Sequence, residues 1–318
     1  MSLSKIRLFI ILTIIVNYCY LYDYQKTYSL NEVSSYGGIN SNLFYFITDL
    51  DVDENENMYV SDSIDCNIKK IDKNGNILGK AGRKGQGPGE FQFPVIIKVF
   101  NNSVYVVDQG KVGISIFTKE LKYINSIVFP YPIYDLNILS NNEIVLACMM
   151  SNATPSIIKI NQKGEIIRGE IKGGFNNNEW WKSMGKIAID KNDNVFYVSA
   201  FENTIYKCDK ELKVMWKITL GIKKHATLET ADTKIGKVVL PTEMIYKDIK
   251  LDVNGNIYLL SGIKNKDNSR DVIVLNSTGE NIGKIVIPYP TYIFHIDNKN
   301  QIYALADEGI TIKKYQFK

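Results

Sequence analysis

Histidine is nearly absent from this chain of 318 residues, which contains only His225 and His295. Two histidines cannot build a three-histidine zinc site, so that kind of metal chemistry is excluded. Hydrolysis by a serine triad is disfavoured as well, because the sequence has no nucleophile-elbow motif and little histidine to act as a base. The sequence therefore shows no catalytic constellation of these two classes.

Cysteine is also scarce, with four in the whole chain. Cys66, Cys148 and Cys208 are widely separated and lack the spacing of metal ligands. A disulfide framework is therefore not predicted, and we interpret these three residues as buried packing.

Neither sign of charge dominates, because 38 basic residues stand against 34 acidic ones and leave a net charge of +4. Such a balance argues against nucleic acid as a partner.

Long apolar runs are missing too. The run near the N terminus, Leu8–Val16, is shorter than the roughly 20 apolar residues of a membrane-spanning helix.

The N terminus nevertheless has the pattern of an export signal, since Lys5 and Arg7 precede that apolar run. We predict that residues 1–22 are a signal peptide or a membrane anchor. Cys19 adds lipidation as a third possibility, although Tyr18 stands where that signal needs a small residue. The expected location is extracytoplasmic, in the periplasm or the cell envelope, and a retained segment would associate the protein with the membrane.

What the rest of the chain does contain is a repeated strand motif, in which two apolar strands flank a polar turn. The clear copies are Asp53–Tyr59, Asp190–Phe196, Asp252–Tyr258 and Asp297–Tyr303, and the weaker ones are Phe100–Tyr105 and Leu139–Val145. A second pattern, alternating apolar residues before a tight turn, begins at Ile68, Ile114, Ile157, Ile205 and Val272. Each unit then has four antiparallel strands. Six units of about 40–60 residues predict an all-β, six-bladed β-propeller.

The sixth unit ends one strand short, near Lys318. We predict that the strand candidate Lys26–Val33 completes this blade and closes the ring, because an open ring would expose strand edges. Residues 23–318 would then form a single propeller domain.

The first junction between units carries a recognisable motif. Gly82–Phe91 followed by Pro94, Val104–Asp108 and Ile114–Phe117 resembles an NHL repeat. The chain is also similar to six-bladed propellers of exported proteins from Bacteroidetes-type bacteria. This resemblance implies a six-bladed fold but no single activity, since such propellers include scaffolds, lyases and lactone hydrolases.

Two faces of the predicted ring differ in character. The turn face carries the Asp- and Asn-rich turns, which we interpret as structural because turn chemistry explains their composition. The connection face carries the links between blades and the loops between second and third strands. These vary in length and composition, so function is predicted there.

Our preferred hypothesis is a non-enzymatic binding or scaffold protein that recognises a protein or a glycan on the connection face, without a cofactor. Its candidate contacts come from breaks in the repeat: the aromatic loop 173–182, the long insertion 221–246, two Pro-Tyr-Pro-x-Tyr segments and the glycine-rich first junction. The candidate residues are Trp180, Trp181, Tyr131, Tyr289, His225, Lys224 and Arg83. Each also has a structural interpretation, such as filling a junction between blades.

The alternative hypothesis is a divalent-metal hydrolase of the lactonase or gluconolactonase type. It would hold calcium in the central channel on carboxylates from separate blades. The candidates are Asp49, Asp135 and Asp248, each just before or within an innermost strand. Hydrogen bonds that tie neighbouring blades together would explain the same aspartates, and we favour that interpretation.

Overall fold

The computed structural model describes residues 26–148, 155–172, 180–220, 226, 228–233, 236–262 and 270–318. The predicted leader 1–22 lies outside the described residues, as do Lys224 and His225. Within these ranges the chain is built of strands, and its only helical segments are two 3₁₀ turns at Trp180–Ser183 and Asp307–Gly309.

The described chain begins with β1 (Thr27–Tyr28) and β2 (Leu30–Gly37), whose partners lie near the C terminus. Blades 1 and 2 follow as antiparallel sheets of four strands in chain order. Blade 1 comprises β3 (Ile47–Val52), β4 (Met58–Asp62), β5 (Asn67–Ile71) and β6 (Ile77–Ala81). Blade 2 comprises β7 (Pro94–Phe100), β8 (Ser103–Asp108), β9 (Ile114–Thr118) and β10 (Tyr123–Ile127).

Blades 3 and 4 repeat this arrangement. Blade 3 comprises β11 (Ile133–Ile138), β12 (Ile144–Cys148), β13 (Pro155–Ile160) and β14 (Ile166–Lys172). Blade 4 comprises β15 (Gly185–Ile189), β16 (Val195–Ser199), β17 (Thr204–Cys208) and β18 (Val214–Thr219). A separate hairpin then interrupts the repeat, formed by β19 (Leu228–Thr233) and β20 (Gly236–Pro241).

Blades 5 and 6 complete the ring. Blade 5 comprises β21 (Tyr246–Leu251), β22 (Ile257–Ser261), β23 (Asp271–Leu275) and β24 (Asn281–Val286). Blade 6 comprises β25 (Phe294–Ile296), β26 (Ile302–Ala306), β27 (Thr311–Phe317) and β2. The first strands β3, β7, β11, β15, β21 and β25 contact one another in this cyclic order around a common axis. The predicted all-β six-bladed propeller is confirmed.

The N-terminal segment is divided between two blades, where a single strand at Lys26–Val33 was expected. β2 pairs antiparallel with β27 from Leu30 opposite Phe317 to Gly37 opposite Thr311, and it is the outer strand of blade 6. β1 instead pairs in parallel with β24, as a fifth strand on blade 5. Gly283 permits this approach, because a Cβ there would lie 2.3 Å from the carbonyl oxygen of Lys26.

The Asp- and Asn-rich turns have the local geometry that their composition predicts. In the first of them, Oδ1 of Asp53 accepts the backbone N–H groups of Asn55 and Asn57, each at 2.9 Å. Glu56 in this turn has a positive φ of 63°. The aspartate at the start of each such turn therefore accepts backbone N–H groups that the tight turn leaves without a backbone acceptor.

The apolar core is divided among the junctions between blades. Six clusters of buried side chains each combine residues from two neighbouring blades. Cys66, Cys148 and Cys208 are buried within these clusters and form no disulfide with one another, and burial raises the pKa of the Cys148 thiol to about 12. Since each blade presents both faces to a neighbour, stability depends on keeping the ring closed.

Candidate functional site

The central channel is lined by the first strands of the blades, and four of these strands share one irregularity. β3, β7, β11 and β21 each contain an extra residue near their start, where the register with the second strand shifts. The inserted residues are Thr48, Val95, Tyr134 and Lys247. A bulge of this kind re-aims the side chains beside it and leaves backbone groups without ladder partners.

Three of the four bulges are followed by the aspartates of the metal hypothesis, and each carboxylate makes the same pair of contacts. One oxygen, Oδ1, accepts the backbone N–H of the next residue in its own strand, at 3.0 Å from Asp49, 3.0 Å from Asp135 and 2.9 Å from Asp248. That contact supplies the partner that the bulge removes.

The second oxygen of each aspartate reaches the next blade. Oδ2 of Asp49 accepts the N–H of Ile97 at 3.0 Å, and Oδ2 of Asp135 accepts that of Ile187 at 2.8 Å. Oδ2 of Asp248 accepts the N–H of Phe294 at 3.3 Å. The three aspartates therefore connect blade 1 to 2, blade 3 to 4 and blade 5 to 6, which gives the ring an approximate threefold pattern. We refer to these contacts as the aspartate ties.

Two lysines accompany the ties, one from the following blade and one from the same strand as its aspartate. Nζ of Lys98 lies 3.2 Å from Oδ2 of Asp49, and Nζ of Lys250 lies 2.6 Å from Oδ1 of Asp248. Burial alone would lower the pKa of Lys98, but the negative charges of Asp49, Asp135, Asp51 and Asp248 together raise it. The carboxylates of several blades thus act on one ammonium group, which remains charged.

A second contact strengthens the junction between blades 1 and 2. Oδ2 of Asp51 accepts the N–H of Val99 at 2.7 Å, and its Oδ1 lies 2.9 Å from Nδ1 of His295. Burial alone would raise the pKa of Asp51. The contacts with His295, Lys98 and the N–H of Val99 outweigh burial, so the pKa of Asp51 is lowered. His295 therefore links blade 6 to blade 1.

Burial raises the pKa of Asp49 and the neighbouring lysines oppose this, while the negative charge of Asp135 adds to the rise, so the carboxylates of Asp49 and Asp135 are close enough to interact. Within the described ranges, however, no three His, Cys, Asp or Glu side chains form a group that could hold a metal ion. Lysine ammonium groups lie among the carboxylates, and the carboxylate oxygens accept backbone N–H groups. The three carboxylates thus form hydrogen bonds between neighbouring blades.

The mouth of the channel on the connection face is formed around the inserted bulge residues. The hydroxyl of Thr48 donates to the carbonyl of Pro94 at 2.7 Å, and Tyr292 donates to the carbonyl of Ile47. Burial raises the pKa of Tyr134 and lowers that of Lys247 to about 8. Side chains at the mouth are thus partly withdrawn from water.

The depressed pKa of Lys247 predicts a specific pH dependence of stability. An unfolded lysine titrates near pH 10.4, whereas the folded side chain releases its proton near pH 8. Between these values the unfolded chain holds the extra proton, so the stability of the folded protein rises with pH across this window. We expect Lys247→Met to remove that rise and to stabilise the protein at pH 7, as measured by urea unfolding from pH 7 to 10.5.

Lys250→Met is the matched control for this experiment. It removes the ion pair with Asp248 only two residues away, so it should destabilise the protein at neutral pH. Parallel pH profiles of stability for wild-type protein and Lys247→Met would show that Lys247 titrates as an ordinary surface lysine.

The connection face beyond the channel carries the hairpin of β19 and β20. At its base, Leu240 and Ala226 pack against a small cluster that contains Trp181, Ala200 and Phe201. The ring of Trp181 meets Phe201 edge-on, with 5.4 Å between centroids, and Trp181 is 4% exposed. Trp181 therefore supports the hairpin from below, whereas only the backbone of Trp180 is described.

The other predicted contacts lie in separate connections between blades, each with its own local partners. Tyr131 meets Phe129 edge-on at 5.6 Å, and Nζ of Lys313 lies 5.3 Å above the ring of Tyr289. Nε of Arg83 lies 2.8 Å from Oε1 of Glu90 in the glycine-rich loop of the first junction. Tyr131, Tyr289 and Arg83 remain solvent-accessible there. The structure does not bring them into one cluster with Trp181.

Sequence reasoning missed the lysines of the channel and the aromatic partner of Trp181. Lys98 interrupts the apolar stretch Val95–Phe100, and Lys250 stands between Ile249 and Leu251. A lysine is unusual among such residues, and that was the available signal. The sequence gives no comparable signal for Phe201, because its contact depends on a hairpin from a distant part of the chain.

Solved structures with the same architecture are numerous. A member of the duf4221 family from Bacteroides vulgatus has a TM-score of 0.62 at 12% identity, covering 91% of this chain and 98% of that one. A Bacteroides fragilis protein predicted to be exported has a TM-score of 0.57 at 14% identity, covering 91% and 95%. Virginiamycin B lyase from Staphylococcus aureus has a TM-score of 0.56 at 12% identity, covering 91% and 99%. Identities this low show the fold alone.

No curated protein matches the sequence. In the part of the chain that the structure describes, none of the helices has the length and apolar character required to cross a bilayer. The DUF5128 family model, described as a 6-bladed beta-propeller, matches residues 40–260, which is more than half of the chain. The protein therefore belongs to the DUF5128 family of six-bladed β-propellers.

Proposed function

We propose that this protein is a non-catalytic binding protein that acts outside the cytoplasm and recognises a protein partner on its connection face. The observation that carries the proposal is the hairpin of β19 and β20, which departs from the repeat and is anchored on the buried cluster of Trp181 and Phe201. An added element on a rigid repeated frame is a common way to build a recognition surface.

The exposed apolar side chains on and beside the hairpin favour a protein over a glycan as the partner. Leu228 on the hairpin is 47% exposed, and Met244, just after it, is 37% exposed. Methionine is enriched at protein interfaces, and exposed apolar side chains beside an inserted hairpin suit a protein partner. Trp181 would be the natural platform for a sugar ring, but it is committed to packing beneath the hairpin.

The channel supports the non-catalytic part of the proposal. Asp49, Asp135 and Asp248 are engaged in holding blades together, which is a structural task. The extracytoplasmic location rests on the basic start and apolar run at Leu8–Val16, and on the resemblance to a propeller that is predicted to be exported. Cell fractionation should find the protein in the envelope fraction and not in the cytosol.

A co-purification experiment tests the recognition surface. The full-length protein, cross-linked in envelope extract of the source organism, is expected to retain one or a few specific proteins. A variant with residues 228–241 replaced by a short Gly-Ser linker should retain about tenfold less of them. The matched control is Ile77→Ser with Leu78→Ser, which removes two exposed apolar side chains from the outer edge of blade 1 and should retain them fully.

Thermal unfolding of the three proteins shows whether each is still folded. Equal retention by the hairpin variant and wild-type protein would contradict the proposal, as would loss of partners in the control. Release of the retained proteins by added oligosaccharide would indicate that a glycan is the ligand instead.

A further inference from the structure

A cavity of about 430 Å³ opens on the turn face, the side opposite the hairpin. It lies at the junction of blades 4 and 5 and extends to the first turn of blade 6. Phe196, Leu251 and Ile296 form part of an apolar floor, while turn residues of the three blades form a polar rim. This volume is within the range of small-molecule binding sites, which is about 300–1,000 Å³.

Two other junctions are closed at the equivalent place by a side chain that reaches the next blade. Tyr59 occupies in blade 1 the register position that Phe196 occupies in blade 4, and its hydroxyl donates to the carbonyl of Lys119 in blade 2 at 3.2 Å. Lys159 of blade 3 donates to the carbonyl of Lys210 in blade 4 at 3.0 Å. In both cases the acceptor lies in the turn between the third and fourth strands of the following blade.

The junction of blades 4 and 5 lacks these closing groups. Tyr59, Tyr105, Tyr258 and Tyr303 are the residues at this position in four blades, but Phe196 has no hydroxyl to donate. Lys207, at the register position of Lys159, places its Nζ 5.0 Å over the ring of Phe196. Ser277 takes the place of Lys119, whose ammonium lies 2.8 Å from Oε1 of Glu54 in blade 1, and its short side chain makes no such pair. Among the described residues, no side chain of blade 4 is hydrogen-bonded to that turn.

The rim offers neutral hydrogen-bonding groups. The carboxylates of Asp190, Asp252 and Asp297 are occupied within their own turns. The side-chain amides of Asn192 and Asn254, and that of Asn298, have no hydrogen-bond partner within the described residues, and each can donate and accept. The rim carries two lysines and three aspartates, so its net charge is not positive. An anionic ligand would therefore gain no net electrostatic attraction from the rim.

We propose that this cavity is a binding site for a neutral monosaccharide or disaccharide. A pyranose ring has an apolar face, which suits the floor of Phe196, Leu251 and Ile296, and a girdle of hydroxyls, which suits the amide rim. The site is separate from the surface of the proposed function, because the two lie on opposite faces of the ring.

Titration calorimetry on the full-length protein tests the proposal with glucose, galactose and cellobiose as neutral probes. Glucuronate and galacturonate are the charged counterparts of the two monosaccharides. At least one neutral sugar is expected to bind, and to bind more tightly than its uronic acid. Trp216 gives a local readout, because its ring meets Phe196 edge-on at 6.0 Å and its fluorescence should change on binding. Trp216→Phe should abolish that optical change.

The decisive variant is Phe196→Tyr with Ser277→Lys, which introduces into the cavity the tyrosine and the lysine found at the junction of blades 1 and 2. We expect it to weaken sugar binding by about tenfold or more without lowering the stability of the fold. The matched control, Tyr59→Phe with Lys119→Ser, opens that closed junction and should leave sugar affinity unchanged.

Three results would overturn the proposal. The first is no binding of any neutral probe at concentrations up to about 50 mM. A dissociation constant above that concentration corresponds to a binding free energy that is too small for a specific site. The second is undiminished binding in Phe196→Tyr with Ser277→Lys, which would place the sugar elsewhere. The third is a preference for the uronic acids, which would show that the site selects anions.

Discussion

Replacing Asp49 by alanine is expected to lower the free energy of unfolding by about 3–5 kcal/mol, because the change leaves a buried charge without its partner. The substitution removes the acceptor for the N–H groups of Leu50 and Ile97, and it separates the ammonium of Lys98 from the carboxylate 3.2 Å away. Both charged side chains are less than a tenth exposed, so water cannot replace the lost contacts. Urea denaturation at neutral pH measures the effect.

A second aspartate tie serves as the matched control for this prediction. Asp135→Ala removes the same two backbone contacts but no direct contact to a lysine ammonium, so it should cost less, about 1–3 kcal/mol. The double variant Asp49→Ala with Lys98→Met should recover part of the loss, because the unpaired charge is gone. A cost below about 1 kcal/mol for Asp49→Ala would show that the tie is not a structural element.

The aspartate ties occur at alternate junctions of the ring. Junctions 1–2, 3–4 and 5–6 each have a tie, whereas blade 4 presents Lys186 at the position that Asp135 occupies in blade 3. The junction of blades 4 and 5 therefore lacks a tie near the connection face and the closing side chains on the turn face. The hairpin and the cavity are both found at this junction. Departures from the repeat thus coincide with the features proposed to bind ligands.

The sequence was sufficient to predict the blades, because each blade is defined by local information. Alternating apolar residues specify the strands, and an aspartate such as Asp53 or Asp252 specifies a turn through contacts within four residues. The repeat then supplies the blade count. None of this requires knowledge of which residues lie opposite each other across a junction.

The site was less predictable because its contacts connect different blades. Asp49 and Asp248 are recognisable in the sequence as candidates near innermost strands, but the donors to their second oxygens, Ile97 and Phe294, are set by the register between blades. The burial of Trp181 depends on the hairpin that covers it. The cavity lies on the turn face, which the sequence pattern indicates to be structural. It arises because closing groups are missing at one junction, and a repeat pattern does not display a missing contact.

Replacing Tyr36 by alanine is the second change with a large expected effect, because this residue connects the N-terminal strand to the rest of the ring. Tyr36 lies on β2 in blade 6, is buried against Phe44 and Ile47, and donates its hydroxyl to the carbonyl of Lys73 in blade 1 at 2.9 Å. Removing a buried aromatic side chain of this size costs about 3–5 kcal/mol. We expect that loss in urea denaturation, with earlier exchange of the β27 amides that pair with β2.

Tyr36→Phe separates the contribution of packing from that of the hydroxyl. It keeps the ring in the cluster and removes one partly buried hydrogen bond, so it should cost only about 1 kcal/mol. Exchange at β27 should then stay close to that of the wild-type protein, since β2 still covers this edge. If Tyr36→Ala were as stable as Tyr36→Phe, the N-terminal strand would be an accessory, and the other strands alone would hold blade 6 against blade 1. A large difference between the two variants would instead show that closure depends on a strand contributed from the opposite end of the chain.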